Sequence, residues 1–278
     1  MKSILVPTDF SSFSTSALKT SAYIAQKTGA SIHLLHVCPA PDDWNRMKVE
    51  QQQRFPEIEG RIVAAEMKVQ KLAEDAIFKN VSVTTSVVGG SAYRQIVDYA
   101  ADFKIDLIVI GAHGFNEAEG PFIGSTAQKV IRIAPCLVLS VKKNFKPTSL
   151  KKILFASNFQ ESKLKDAFKP IKNFAVDLKA HLDFAYINTP AHFQDSITTD
   201  QTLRDFNANQ NDIRPNFFIH NDFSTEGGII NVSKKLKSNV VALVTHNRKG
   251  KSNYLMGVTE TVLFHSDVPV LSKVIDSK

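Results

Sequence analysis

The sequence is poor in the residues that mark exported, metal-binding or membrane-spanning proteins. Only two cysteines, Cys38 and Cys136, occur in 278 residues, and no paired Cys or Cys/His spacing indicates zinc. We predict reduced, partly buried thiols rather than a disulfide. No apolar run approaches the ~18 residues of a membrane helix, and the start lacks the apolar core of a signal peptide. We therefore expect a cytoplasmic protein with no membrane partner.

Two familiar nucleotide motifs are also missing. No lysine precedes Ser125, as a Walker A loop requires, and the dinucleotide fingerprint G-x-G-x-x-G is absent. The 34 basic and 27 acidic residues give a net charge of +7, but the lysines are scattered, without a basic stripe or interleaved aromatic residues. A solvated surface explains them better, so no nucleic-acid partner is expected.

What remains is an ordinary globular composition, with 43% hydrophobic and 22% charged residues. The length suits two domains of about 140 residues each. Apolar strand patterns alternate with helical ones, which predicts an α/β fold.

The most informative stretch, residues 106–141, combines an apolar run, a glycine loop and a helix start. Residues 107–110 are typical of a parallel strand buried on both faces. Glycines and hydroxyls follow it at Gly111, Gly114, Gly124, Ser125 and Thr126. Glycine lets the main chain approach a ligand closely, and the free N–H groups of a helix start attract phosphate. The stretch predicts an anion site, although the same glycines could serve only the turn.

The spacing Gly111-x2-Gly114-x9-Gly124-Ser125 resembles the nucleotide-binding signature of the universal stress protein family. Residues 4–11 resemble the family's first strand and the loop that carries its adenine-contacting aspartate. The resemblance implies a tandem member in which residues 1–145 bind ATP or another adenine nucleotide with Mg²⁺. Residues 150–278 would be a degenerate copy. It also implies a regulatory role in the stress response.

Each copy is predicted to be a doubly wound, five-stranded parallel sheet of order 3-2-1-4-5, flanked by helices. The strands of the first copy are expected at residues 2–7, 31–37, 81–88, 107–110 and 137–141. In such a sheet a ligand binds at the carboxyl ends of the strands, between the first and fourth, where the order reverses. Pro7, Asp9 and Gly111 should then share one crevice.

The resemblance assigns further residues to the nucleotide. Asp9 would accept a hydrogen bond from the adenine amine and Val37 would line the base pocket, while His113 could touch phosphate or ribose. The expected site comprises Pro7, Asp9, Val37, Ile110, Gly111, His113, Gly114, Gly124, Ser125 and Thr126. Two alternatives stay open, because Asp9 could be a turn or cap residue and His113 could point to solvent.

Residues 152–159 repeat the pattern of residues 3–10, so the chain reads as two copies of one fold. Further strands are expected at residues 181–187, 216–220, 240–244 and 268–271, and a polar stretch at residues 190–212 replaces the long helical region of the first copy. The expected site residues are replaced in the second copy by Asn158 for Asp9, Thr245 for Gly111 and Met256 for Gly124. We predict that the second copy holds no nucleotide.

Phosphoryl transfer needs a metal-holding carboxylate and a cation at the phosphates, and neither occurs at a fixed spacing. No catalytic or metal-binding residue is assigned, and holding rather than turnover is expected. Slow ATP hydrolysis or autophosphorylation stays open.

A nucleotide-free interaction module is the other alternative, since the last strand of each copy is an apolar sheet edge. The family resemblance joins these edges as a pseudo-dimer within the chain, and a homodimer is possible. Lys129 and Arg132 flank the first of these strands, where a solvated helix face is the ordinary interpretation.

Overall fold

The computed structural model describes residues 1–112, 124–161, 163–208, 210, 212–246 and 256–275. The strands of the first half are β1 (Ser3–Pro7), β2 (Ser31–Cys38), β3 (Val83–Gly89), β4 (Leu107–Gly111) and β5 (Leu137–Val141). Those of the second half are β6 (Lys152–Ala156), β7 (His181–Asn188), β8 (Phe217–Asn221), β9 (Val240–His246) and β10 (Val270–Ile275). The α-helices are α1 (Ser12–Thr28), α2 (Val49–Gln52), α3 (Pro56–Ala73), α4 (Ala92–Asp102), α5 (Ser125–Ile133), α6 (Leu164–Asp177), α7 (Ser196–Asn207), α8 (Thr225–Leu236) and α9 (Val258–His265).

The strands form one ten-stranded sheet of order β3-β2-β1-β4-β5-β10-β9-β6-β7-β8. Neighbours within each half are parallel, and both halves have the predicted order 3-2-1-4-5. β5 and β10 pair antiparallel, so the two five-stranded sheets are continuous. The predicted α/β fold class is confirmed.

The helices cover both faces of this sheet. One buried layer includes side chains from α1, α3, α6 and α7, and the other includes side chains from α4, α5, α8 and α9. β1, β4 and β5 are almost wholly buried, which explains why they read as unbroken apolar runs. Among the described helices, none is long and apolar enough to cross a membrane.

The expectation that a polar stretch at residues 190–212 replaces the long helical region was wrong, because this stretch contains α7. Asp195 accepts the Thr198 N–H at 2.9 Å and starts the helix. Only three of its side chains, those of Thr199, Leu203 and Phe206, are buried. Three buried positions among polar residues give too weak a period to indicate a helix.

Both cysteines are free and buried, as predicted. Burial raises the pKa of the Cys136 thiol to about 12 and also raises that of Cys38. We expect iodoacetamide to modify Cys136 in the folded protein roughly 1,000-fold more slowly than in urea, from the smaller thiolate fraction alone. Mass spectrometry of a labelling time course measures this, and equal rates in the two states would contradict the burial of the thiol.

Candidate functional site

The loop between β1 and α1 is fixed by its own hydrogen bonds. The Thr8 N–H donates to the Leu35 carbonyl at 2.9 Å, and the Thr8 hydroxyl oxygen accepts the Phe10 N–H at 3.2 Å. Phe10 has a left-handed backbone with φ of 64°. His36 Nδ1 lies 2.8 Å from the Thr8 carbonyl oxygen, which can only accept a hydrogen bond. The loop therefore presents Asp9 from a defined backbone.

Asp9 serves the turn with one oxygen and leaves the other available. Its Oδ1 accepts the Ser11 N–H at 3.0 Å, and its Oδ2 receives no hydrogen bond from the described residues. The side chain is exposed. The turn interpretation and the ligand interpretation are therefore compatible, because they use different oxygens.

The end of β4 and the start of α5 meet directly. The Gly124 N–H donates to the Ala112 carbonyl at 3.0 Å, and the Ala112 N–H donates to Val141 in β5 at 2.9 Å. Gly124, the N-cap residue, has φ of −56°, which any residue can adopt. The backbone angle at this position therefore does not require glycine.

The N-terminus of α5 is suited to an anion. Its first turn reads Ser125, Thr126 and Ala127, so two hydroxyls and no carboxylate accompany the N–H groups that lack a carbonyl partner within the helix. Helix dipoles concentrate positive potential at this end. The arrangement can hold phosphate oxygens.

Apolar side chains lie beside this helix start. β1 pairs with β4, Ile4 opposite Leu107 and Leu5 opposite Ile108, which places Pro7 opposite Ile110. Ile110 belongs to the buried layer on the α5 face, and the half-buried Val37 packs against the same layer. A planar base could contact these side chains.

The structure brings most of the sequence-predicted residues to one edge of the sheet. These are Pro7, Asp9, Val37, Ile110, Gly111, Gly124, Ser125 and Thr126. His113 and Gly114 lie outside the described residues.

The second half differs at the corresponding edge, and the register corrects two sequence assignments. Since Ile153 of β6 faces Val240 of β9, Val244 and not Thr245 occupies the place of Gly111. The N-cap of α9 is Gly257 rather than Met256. Aligning on the last strand placed this N-cap one residue too early because α9 has 8 residues and α5 has 9.

The helix start of the second half is already occupied by a carboxylate. Glu260, the third residue of α9, accepts the Gly257 N–H on Oε2 at 3.1 Å and is 1% exposed. Sequence reasoning missed Glu260, although a glutamate three residues after an N-cap is a recognisable helix-start signal.

Two further features distinguish this second edge. Glu161 Oε1 lies 3.2 Å from His246 Nε2, so a polar contact joins the segment after β6 to the end of β9. Asn158 binds the Gln160 N–H through Oδ1 at 3.3 Å, as Asp9 binds Ser11. Its remaining group is therefore an amide donor instead of a carboxylate acceptor.

Metal ligands are not grouped in the described part of the chain. No cluster of three or more His, Cys, Asp or Glu side chains there could hold a metal ion.

This fold and edge define a doubly wound α/β protein whose switch point has a helix start without acidic residues. The family model of the universal stress protein family matches residues 1–142, and the chain belongs to that family. A universal stress protein of Methanocaldococcus jannaschii is 33% identical over 150 residues, which cover 51% of this chain and 82% of that protein.

Solved structures extend the likeness in fold to the second half. A universal stress protein of Archaeoglobus fulgidus matches 98% of this chain and 96% of its own, with a TM-score of 0.74 and 16% identity. A universal stress protein crystallised in complex with cAMP matches 47% of this chain with a TM-score of 0.36.

Proposed function

We propose that this protein binds ATP, or a related adenine nucleotide, in its first half and acts as a regulatory protein of the stress response. The nucleotide-binding unit is residues 1–145, and residues 150–278 form a second unit that holds no nucleotide. The site is the residue set named from the sequence, including His113 and Gly114.

The observation that carries this proposal is the unoccupied hydrogen-bonding capacity at the edge of the first half. Asp9 keeps one carboxylate oxygen without a donor among the described residues, and the acid-free first turn of α5 begins where β4 ends. The adenine amine is a donor that suits the free oxygen of Asp9, and phosphates suit the first turn of α5.

The contrast with the second half supports a single site. There the helix start is capped by Glu260 from within α9, and an extra anion would meet this carboxylate. Asn158 offers a donor where Asp9 offers an acceptor. Val244 adds a side chain at the place of Gly111.

Holding rather than turnover fits the chemistry of the described site residues. Asp9 is assigned to the base, so no carboxylate among the described site residues is left to fix Mg²⁺, which would enter with the phosphates. The interaction-module alternative relied on the edges of β5 and β10, and these strands are paired with each other.

The test is to identify the nucleotide by mass spectrometry of material extracted from the purified protein, and to titrate ATP, AMP and cAMP with Mg²⁺ by calorimetry. We expect an adenine nucleotide in the extract, micromolar ATP binding and no phosphate release over hours. A chain that carries none and binds none of the three would contradict the proposal. Steady phosphate release would contradict the holding role.

A further inference from the structure

β3 is an edge strand of the ten-stranded sheet and pairs only with β2 among the described residues. Along such a strand, successive residues direct their main-chain N–H and C=O groups to alternate sides. The Ile32 N–H of β2 donates to the Ser82 carbonyl at 2.8 Å, so the even-numbered residues here face β2. The outward groups are those of Val83, Thr85 and Val87, and they have no hydrogen-bond partner in the described part of the chain.

One end of this open edge is closed by a side chain. Asn45 Nδ2 donates to the Gly89 carbonyl at 2.9 Å, and Asn45 Oδ1 accepts the Gly89 N–H at 3.2 Å. Gly89 is the next outward residue after Val87, and Asn45 therefore takes the place that a neighbouring strand would have there. The main-chain groups that remain open belong to residues 83–87.

A groove of about 430 Å³ lies between this open edge and α3. It is lined by Glu66, Met67, Val69 and Gln70 of α3 and by Thr85, Ser86 and Val87 of β3. Proteins that bind extended peptides by strand addition use an open sheet edge for affinity and adjacent pockets for specificity. In a strand added to β3, every second side chain would face this groove.

The side of α3 that faces the groove is acidic, although the chain has a net charge of +7. At about 3.6 residues per turn, Glu59 and Glu74 fall on the same side of α3 as Glu66. The exposed apolar side chains of Val63 and Met67 lie between these acids. No described cation forms an ion pair with any of the three carboxylates. They are therefore free to meet cations of a ligand.

The basic residues of α3 lie on other sides of the helix. Arg61 donates to the Pro39 carbonyl at 3.3 Å, and Lys68 Nζ lies 5.6 Å from the centre of the Phe10 ring. These partners belong to the segments that follow β2 and β1, away from the open side of β3. Lys71 is exposed on the outer surface of the helix. The groove thus favours basic ligands, whereas antiparallel pairing of β3 with a second copy of β3 would bring two acidic surfaces together.

We propose that β3 and the groove beside α3 bind an extended, basic peptide segment of another protein as an eleventh strand. The outward main-chain groups of residues 83–87 hydrogen-bond to this segment. Its groove-facing side chains place cations beside Glu66 and Glu74 and an apolar residue between them, at Met67. The surface lies apart from the proposed nucleotide site, so binding of the peptide does not depend on a nucleotide.

The probe is the acetylated and amidated peptide KTVTKT, in which lysine, valine and lysine occupy every second position. Its acidic counterpart is ETVTET. Fluorescence anisotropy of the labelled peptides on the full chain gives the affinities. We expect KTVTKT to bind saturably with a dissociation constant below about 100 µM, and ETVTET not to bind at about tenfold higher concentration.

Two pairs of variants separate the charges from the strand edge. Glu66→Lys should weaken binding of KTVTKT at least tenfold, whereas Glu57→Lys, nine residues earlier on the opposite side of α3, should stay within twofold. Thr85→Pro removes an outward N–H, which an edge strand tolerates, and should weaken binding at least tenfold. Ile219→Pro makes the same change in β8 at the opposite edge, where the Asn216 carbonyl shows that even-numbered residues face β7, and should bind as wild type does. Urea unfolding verifies that each variant is folded.

Amide hydrogen exchange of the wild type, followed by NMR, gives a test that needs no variant. KTVTKT should slow exchange at Val83, Thr85 and Val87 at least tenfold and leave Ile219 unchanged. The proposal is overturned if neither peptide binds, if ETVTET binds as tightly as KTVTKT, or if Thr85→Pro binds as wild type does. A wild-type dimer in light scattering that Thr85→Pro converts to single chains would assign this edge to a second copy instead.

Discussion

Replacing Ser125 with glutamate is expected to lower ATP affinity at least 100-fold without destabilising the protein. Ser125 is exposed and is the first residue of α5. A carboxylate there would face the phosphates, and like charges a few ångströms apart at a protein surface repel by about 4 kcal/mol. The same carboxylate interacts favourably with the helix dipole, by about 0.3 to 1 kcal/mol. Calorimetry with ATP and thermal unfolding measure the two effects.

The matched control is Ser196→Glu, which makes the same change at the exposed first residue of α7 in the second half. It should leave ATP affinity within twofold of wild type. Equal losses in both variants would mean that overall charge, not the α5 start, governs binding. Full affinity in Ser125→Glu would remove α5 from the site.

Replacing Asp9 with asparagine is expected to weaken ATP binding about 10- to 100-fold while leaving stability unchanged. The amide oxygen can still accept the Ser11 N–H, as Asn158 accepts that of Gln160, so the turn should persist. The free group becomes a donor facing the donor amine of adenine, and a hydrogen bond to a charged group contributes about 1.5 to 3 kcal/mol. Calorimetry with ATP and urea unfolding test both parts.

Comparing the binding of ATP with that of inosine triphosphate tells whether Asp9 contacts the base or only maintains the loop structure. The base of inosine triphosphate carries an oxygen where adenine carries the amine, so Asp9→Asn should shift the preference toward it. The reciprocal control, Asn158→Asp, should change neither ATP affinity nor this preference. A variant that loses both nucleotides equally would indicate that Asp9 acts only through the loop.

The sequence was sufficient for the fold because its central strands β1, β4 and β5 are buried on both faces. The apolar runs at β1, β4 and β5 leave no other assignment, and the strand order follows from alternating strands and helices. Local caps also define α1, where the Ser11 side chain accepts the Ser14 N–H and Gly29 has a left-handed backbone. Local patterns determine local structure where burial is complete.

The sequence was insufficient where a residue's environment comes from a distant segment. The sequence predicted Arg132 to be a solvated residue on a helix face. In the structure it is buried and bonded to Glu260 of α9. The carboxylate that caps α9 was likewise invisible while its N-cap was assigned one residue too early. Glu260 makes both the contact with Arg132 and the cap of α9. This one glutamate, far along the chain from the predicted site, distinguishes the two halves.

The most direct measurement is the stoichiometry of ATP binding to the intact chain by calorimetry at known active concentration. One nucleotide per chain, lost in Ser125→Glu and retained in Ser196→Glu, is the result expected of a site in the first half alone. Two nucleotides per chain, or one that survives Ser125→Glu, would contradict it.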